Sequence, residues 1–404
     1  MWLRMLALWL TFYVMGFGDA RGSLVGIARE TFGISDSQGS LIPAAGALAF
    51  GLFALPAGLL ATRTSKNQVL MLGLMLTAAG HALPVLFLRT FHHLLLAVFA
   101  IGCGMTCLLV AGNPLLREAT GPERYARNLT FAQFIKSLGS VSGPYFIAAI
   151  VALGYSWQGL FPAFALISLA TCLVVAAARI PEHERMAPAS LGGILGLLRV
   201  PGVRLRILGI FLFVGAEMGL NAWIAIHLWR NHGLSIQVDA IRYGQGLFWV
   251  AMGAGRILGT LALTWMEPRR FFLLCVLAGF AGVLALAFGP RDLAIGGVAL
   301  CGLAFSNIWP TLFALLVESR PHQAAELAGL TVMADVGGAL IPGAMGIIAD
   351  LSDVRWSFLL PVAAFVYLAG LAVHQWRARP VAQPGLDQEG RQIQGNRKHR
   401  RGGG

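Results

Sequence analysis

The stretch RMLALWLTFYVMGFGDARGSLVGIARE, residues 4–30, is apolar for long enough to cross a bilayer, yet it carries Asp19 and Arg21 near its middle. A spanning helix needs roughly 20 residues. A charge at that depth costs about 3 kcal/mol on insertion scales, so it normally faces a water-filled cavity or an opposite charge inside the bundle. Three more ionisable groups stand in comparably apolar surroundings: Lys136, Glu217 and Asp335. The chain reads as a structure built around a polar cavity inside a membrane.

The whole sequence agrees. Of 404 residues, 57% are hydrophobic and 12% charged, and the mean hydropathy is +0.72, more apolar surface than a soluble domain can hide. The bilayer interior satisfies no backbone group, so only helices or closed barrels span it. Long unbroken apolar runs, without the alternation of barrel strands, predict an all-α membrane protein. Twelve spans are expected, at 4–30, 38–61, 67–87, 92–117, 126–153, 157–178, 204–229, 241–265, 271–289, 293–317, 324–349 and 355–376. The first has no small-residue cleavage site and is read as a retained helix.

Basic residues set the orientation. With both termini cytoplasmic, 21 of the 30 Lys and Arg fall on that side and six on the other, with Arg21, Lys136 and Arg256 inside spans. The prediction is a multi-pass protein of the cytoplasmic (inner) membrane. The net charge of +12 then lies largely in loops and a tail that meet anionic lipid headgroups, and calls for no nucleic-acid partner. The five cysteines, 103, 107, 172, 275 and 301, fall within spans in odd number, which argues against a disulfide framework. No cofactor or metal site is expected, and a monomer is.

A hydrophilic interruption at 179–203 contains EHER and then SLGGILGLLRV, whose spacing fits a helix lying at the interface. It divides a six-helix bundle, 1–178, from a second, 204–379; residues 380–404 form a basic tail of disordered composition. An internal echo links the halves: GLLATRTSKNQVL from Gly58 and GTLALTWMEPRRFFL from Gly259 each run from a Gly-led helix end through a basic turn into another span. Parallel repeats with a midplane site between them are the architecture of major facilitator transporters.

Other segments carry that resemblance further. In the loop after the second span, Gly58, Arg63 and Lys66 match the superfamily's G-x-x-x-D-R-x-G-R-K pattern, with Thr62 in place of the acid and Ser65 of the second glycine. GNPLLREATGPERYARNLTFAQFIKSLG (112–139), FVGAEMGLNAWI (213–224), GRILGT (255–260), SNIWPTLFAL (306–315) and VGGALIPGAMGIIAD (336–350) resemble, in order, segments of the fucose-permease-like branch, the fucose-galactose-glucose:proton symporters. The resemblance implies a major facilitator fold and sugar transport with a proton as coupling ion. It implies ligand contacts for Asn113, Asn128 and Gln133, though amides near helix ends also serve to join helices, and it places Glu217 at an acid-or-amide position. Two acids of the branch are replaced: Leu109 stands four residues before the Asn-Pro pair, and no acid stands near Ser23.

The in-span charges have chemistry of their own. Burial disfavours an ionised carboxylic acid while a nearby cation restores it, so Asp19 is a candidate proton carrier, Glu217 an alternative and Asp335 a third. Three glycines around Asp19 and Arg21 favour a locally unwound helix. Asp19 is expected to pair with Lys136, either permanently or until a proton or substrate breaks the pair. A neutral sugar needs amides and an aromatic platform, for which Asn221, Trp223, Asn307 and Trp309 are candidates. Arg21 and Lys136 would instead fit a sugar acid or another small organic anion. A receptor keeping the carrier fold and signalling through its tail is a further alternative. An enzyme is disfavoured, since no metal-spaced cluster, nucleophile elbow or phosphate loop is present.

Overall fold

The computed structural model describes residues 2–377 apart from 121, 183–195, 321, 322, 324–326, 328, 329 and 332. The expected interfacial helix lies mostly outside the described residues, which include only a 3-10 turn at Leu197–Arg199. The tail and the start of the eleventh expected span also lie outside them.

The first apolar stretch folds as α1, Trp2–Met15, a 3-10 turn at Gly16–Ala20, and α2, Arg21–Phe32. The glycines tighten the helix there instead of opening it. After a one-turn helix α3, Asp36–Gly39, come α4 (Leu41–Arg63), α5 (Lys66–Phe87), α6 (Phe91–Thr120), α7 (Pro122–Ala152) and α8 (Leu160–Ala178). Then follow α9 (Pro201–His232), a π turn at Arg242–Gly246 leading into α10 (Leu247–Ala262), α11 (Pro268–Phe288), α12 (Arg291–Glu318), α13 (Gly337–Leu351) and α14 (Leu359–Arg377). Among the described residues, nine helical stretches are long and apolar enough to cross a membrane. The eleventh expected span departs from the prediction: its chain turns at Asp335 and Val336 before α13 begins.

Local chemistry sets the helix ends. α2 and α9 both stop at a glycine in the left-handed region, Gly33 (φ 63°) and Gly233 (φ 69°), where a Cβ would be strained. Ser35 caps α3 in a capping box with Gln38, and Ser65 accepts from the Gln68 amide to start α5.

Large apolar side chains such as Leu52, Met75, Leu173, Leu274 and Val366 stand exposed along helix flanks, as the outside of a bundle solvated by lipid requires. Inside, several helix pairs approach at backbone distance, two of them beside the predicted charges. Gly16 of the 3-10 turn backs onto Gly139 and the Lys136 carbonyl of α7, and a Cβ on either glycine would collide with backbone. Gly215 of α9 and Gly337 of α13 repeat the arrangement. Small residues facing each other are how membrane helices pack when no hydrophobic gain drives them together. Each close approach lies within three residues of two of the predicted charges: Asp19 and Lys136 in the first, Glu217 and Asp335 in the second.

Candidate functional site

Asp19 sits on the 3-10 turn with its carboxylate buried, 7% exposed as a residue. Its Oδ2 accepts from the Ser140 hydroxyl at 2.5 Å and lies 4.0 Å from Lys136 Nζ, so α7 supplies both partners one turn apart. The Ser140 bond and the Gly16 to Gly139 contact fix where the acid sits relative to α7.

The C-terminal helices reach the same turn. Asn221 Nδ2 donates to the Asp19 carbonyl at 3.1 Å. Asn221 is then fully engaged: its Oδ1 accepts from Trp249 Nε1 at 3.2 Å and its carbonyl from Gln245 Nε2 at 2.8 Å. Arg21 Nη2 points to Met218 Sδ at 3.6 Å. A cavity lies beside this turn, its charged lining being Asp19, Arg21 and Lys136, with Phe50, Met105 and Leu109 among its apolar walls. A second runs from Arg21 past His81 between Phe17 and Phe161.

Glu217, on α9, lies within electrostatic reach of Asp19, Lys136, Arg256 and Asp335. Asp335 stands at the turn before α13, within reach of Lys136, and its Oδ1 is buried with no hydrogen-bond partner among the described residues. Asn113 likewise has a buried Oδ1 without a partner there.

Arg256 belongs to this group although the sequence reading left it out of the site. Its Nη1 donates to the Gln133 carbonyl at 2.7 Å and to the Ser137 hydroxyl, tying α10 to α7. Gln133 thus takes part through its backbone. The cost argument that singled out Asp19 applies equally to Arg256, which was already one of three basic residues counted inside spans.

The other sugar-site candidates are placed elsewhere. Trp223 is fully buried, its Nε1 donating to the Pro342 carbonyl at 3.1 Å between α9 and α13. Asn307 Nδ2 joins α12 to α10 through the Gly255 carbonyl at 2.8 Å and also meets Ser306 Oγ at 2.6 Å. Trp309 stacks on Phe313 with ring centroids 5.2 Å apart. None of the three lines the cavity beside Asp19.

At one end of the bundle the N- and C-terminal helices are bound by charge. Asp36 receives Arg230 bidentately at 2.6 and 2.8 Å and Arg29 at 2.8 Å. Asp350, near the end of α13, accepts from the Asp36 and Ser37 amides at 2.7 and 2.8 Å, capping α3 from across the interface. Gln237 donates to Glu30 at 2.8 Å. The opposite end, some 34 Å away along the 23 residues of α4 at about 1.5 Å each, carries the buried Lys66 and Glu118 pair.

With the geometry in place, the chain can be set beside known proteins. It is 25% identical over 381 residues to a glucose/galactose transporter of Brucella abortus (strain 9-941), covering 90% of this chain and 92% of the relative. It is 23% identical over 375 residues to an L-fucose-proton symporter of Escherichia coli K12, covering 84% and 85%. Its fold superposes on the transporter FucP in the outward conformation with a TM-score of 0.67 at 21% identity, covering 93% of this chain and 99% of that one. The nucleoside transporter NupG gives 0.76 at 14% identity, covering 93% and 100%. The Major Facilitator Superfamily profile matches residues 6–335, which is most of the sequence. The chain therefore belongs to the Major Facilitator Superfamily.

Proposed function

We propose that this chain is a secondary active transporter that moves a monosaccharide together with a proton by alternating access. One observation carries the reading: a buried carboxylate, Asp19, beside a lysine and a cavity, at the place where N- and C-terminal helices meet. The names of the relatives, a glucose/galactose transporter and an L-fucose-proton symporter, support both the solute class and the coupling ion.

In this reading twelve spans form two six-helix halves, 1–178 and 204–379, working as a monomer in the cytoplasmic membrane with both termini inside. The Asp36 end faces outward, because the basic loops gather at the other end. Asp19 takes up the proton when the cavity opens outward and gives it up on the inner side; Glu217 and Asp335 share its field. The ligand shifts the populations through its different affinity for the two states.

The test is uptake into proteoliposomes of labelled neutral sugars and sugar acids, with and without an inward proton gradient. Gradient-driven accumulation that a protonophore collapses is the expected result. If no member of the panel accumulates, the reading is wrong.

A further inference from the structure

Resting on the carrier reading, we infer that the cavity beside Asp19 is an anion subsite, and that the monosaccharide carried bears a carboxylate held by Arg21 and Lys136.

The lining argues this first. The charged groups of the cavity are two cations and one acid, and the acid is already occupied, with Ser140 at 2.5 Å and Lys136 at 4.0 Å from the same oxygen. Arg21 has no carboxylate within ion-pair distance among the described residues. Its Nη2 meets the Met218 sulfur, a weak acceptor, and its Nε is buried without a protein acceptor. A guanidinium offers five donors in a planar fork that matches a carboxylate two-to-two. The helix opposite makes room for it: Gly46 of α4 lies against Arg21 Nη1, where any Cβ would overlap the guanidinium.

Three of the neutral-sugar candidates are committed elsewhere. Asn221, Trp223 and Asn307 give their polar atoms to interhelical bonds. The polar side chains that line the cavity, Asp19, Arg21 and Lys136, are all charged.

The wider balance gives the coupling. Arg21, Lys136 and Arg256 share one electrostatic field with Asp19, Glu217 and Asp335, where the 3-10 turn, α2, α7, α9, α10 and the turn before α13 meet. One proton taken up by an acid of this group adds one positive charge, and a singly charged carboxylate cancels it. Proton and anion then cross together with no net charge moved, whereas a neutral sugar with a proton carries one charge.

The experiment uses the full-length protein in proteoliposomes with D-glucuronate, D-gluconate, D-glucose, D-galactose and L-fucose under a proton gradient, with the potential set by potassium and valinomycin. The expected result is saturable uptake of the acids that is insensitive to the imposed potential. Arg21→Gln should raise the KM for the acids by about tenfold or more, the loss of a charge-assisted pair, while Arg21→Lys retains part of the affinity. Both variants should still melt in a single transition without ligand, which sets the baseline for the ligand shift. Stabilisation of the detergent-solubilised chain by D-glucuronate or D-gluconate reads the subsite without flux. Uptake of the neutral sugars alone, or acid uptake and stabilisation unchanged in Arg21→Gln, overturns the subsite and leaves the carrier reading intact. Failure of both acids to stabilise the chain overturns the subsite as well. Absence of accumulation for all five solutes overturns the carrier reading itself.

Discussion

Arg230→Ala should loosen the end of the bundle held by Asp36. The Asp36 side chain is 1% exposed and that of Arg230 22%, so the variant removes two charge-assisted hydrogen bonds at 2.6 and 2.8 Å and leaves the carboxylate with Arg29 alone. Breaking a fully buried pair costs about 3–5 kcal/mol. Water can reach the partly exposed side of the site and Arg29 remains, so about 2–3 kcal/mol is a better figure. That free energy belongs only to conformations in which the two sets of helices touch at this end, and it corresponds to a population shift of roughly 30- to 150-fold. From a 99:1 ratio of closed to open molecules, the open fraction would rise from about 1% to about 20–60%. Spin labels at exposed Thr31 and Ser235, one on each side of the contact, read this as a second, longer distance in double electron–electron resonance. A distance distribution identical to that of the unmutated protein would refute the reasoning, since the ion pair would then be indifferent to opening.

Three further outcomes are expected. Asp19→Asn keeps the hydrogen bond from Ser140 but cannot give up a proton, so gradient-driven accumulation should vanish while exchange of labelled for unlabelled solute persists; undiminished accumulation would remove Asp19 from the coupling. Gly139→Val should destabilise by about 1–3 kcal/mol, because the added carbons press on the Tyr13 carbonyl, and a fluorescence melt should show a lower transition. Lys66→Met should destabilise by weakening the hold on the part-buried Glu118, by about 1–3 kcal/mol, and adding Glu118→Met should recover part of the loss. A double variant no more stable than the single would argue that Glu118 is held by other groups.

The helices were legible because lipid permits few alternatives: a run of apolar residues long enough to span has no other way to satisfy its backbone. The charges Asp19, Lys136, Glu217 and Asp335 were legible for the same reason, being expensive where they stand. Partners across the interface were not. Asn221 follows Glu217 by four residues and shares its face, and it does reach the Asp19 turn. Trp223 follows by six, about 240° around the helix, so it points away, into the α13 packing. Trp309 and Asn307, two residues apart, point to nearly opposite sides for the same reason. Simple angular bookkeeping would have separated these candidates. Which carbonyl Arg256 would find, or that Asp36 would pair with Arg230, 194 residues away in sequence, depends on how helices distant in sequence are placed, and no local pattern encodes it.

The glycine contacts have a consequence for how such a carrier moves. Because Gly16 lies directly on Gly139, and Gly337 packs on the α9 backbone beside Gly215, each pair of helices is seated at backbone distance and moves as one body. Asp19 and Lys136, 4.0 Å apart, therefore travel as passengers on one raft. The strain of switching falls instead on the ties between rafts, from Asn221 to Asp19 and from Arg256 to Gln133, which must be remade on every turnover.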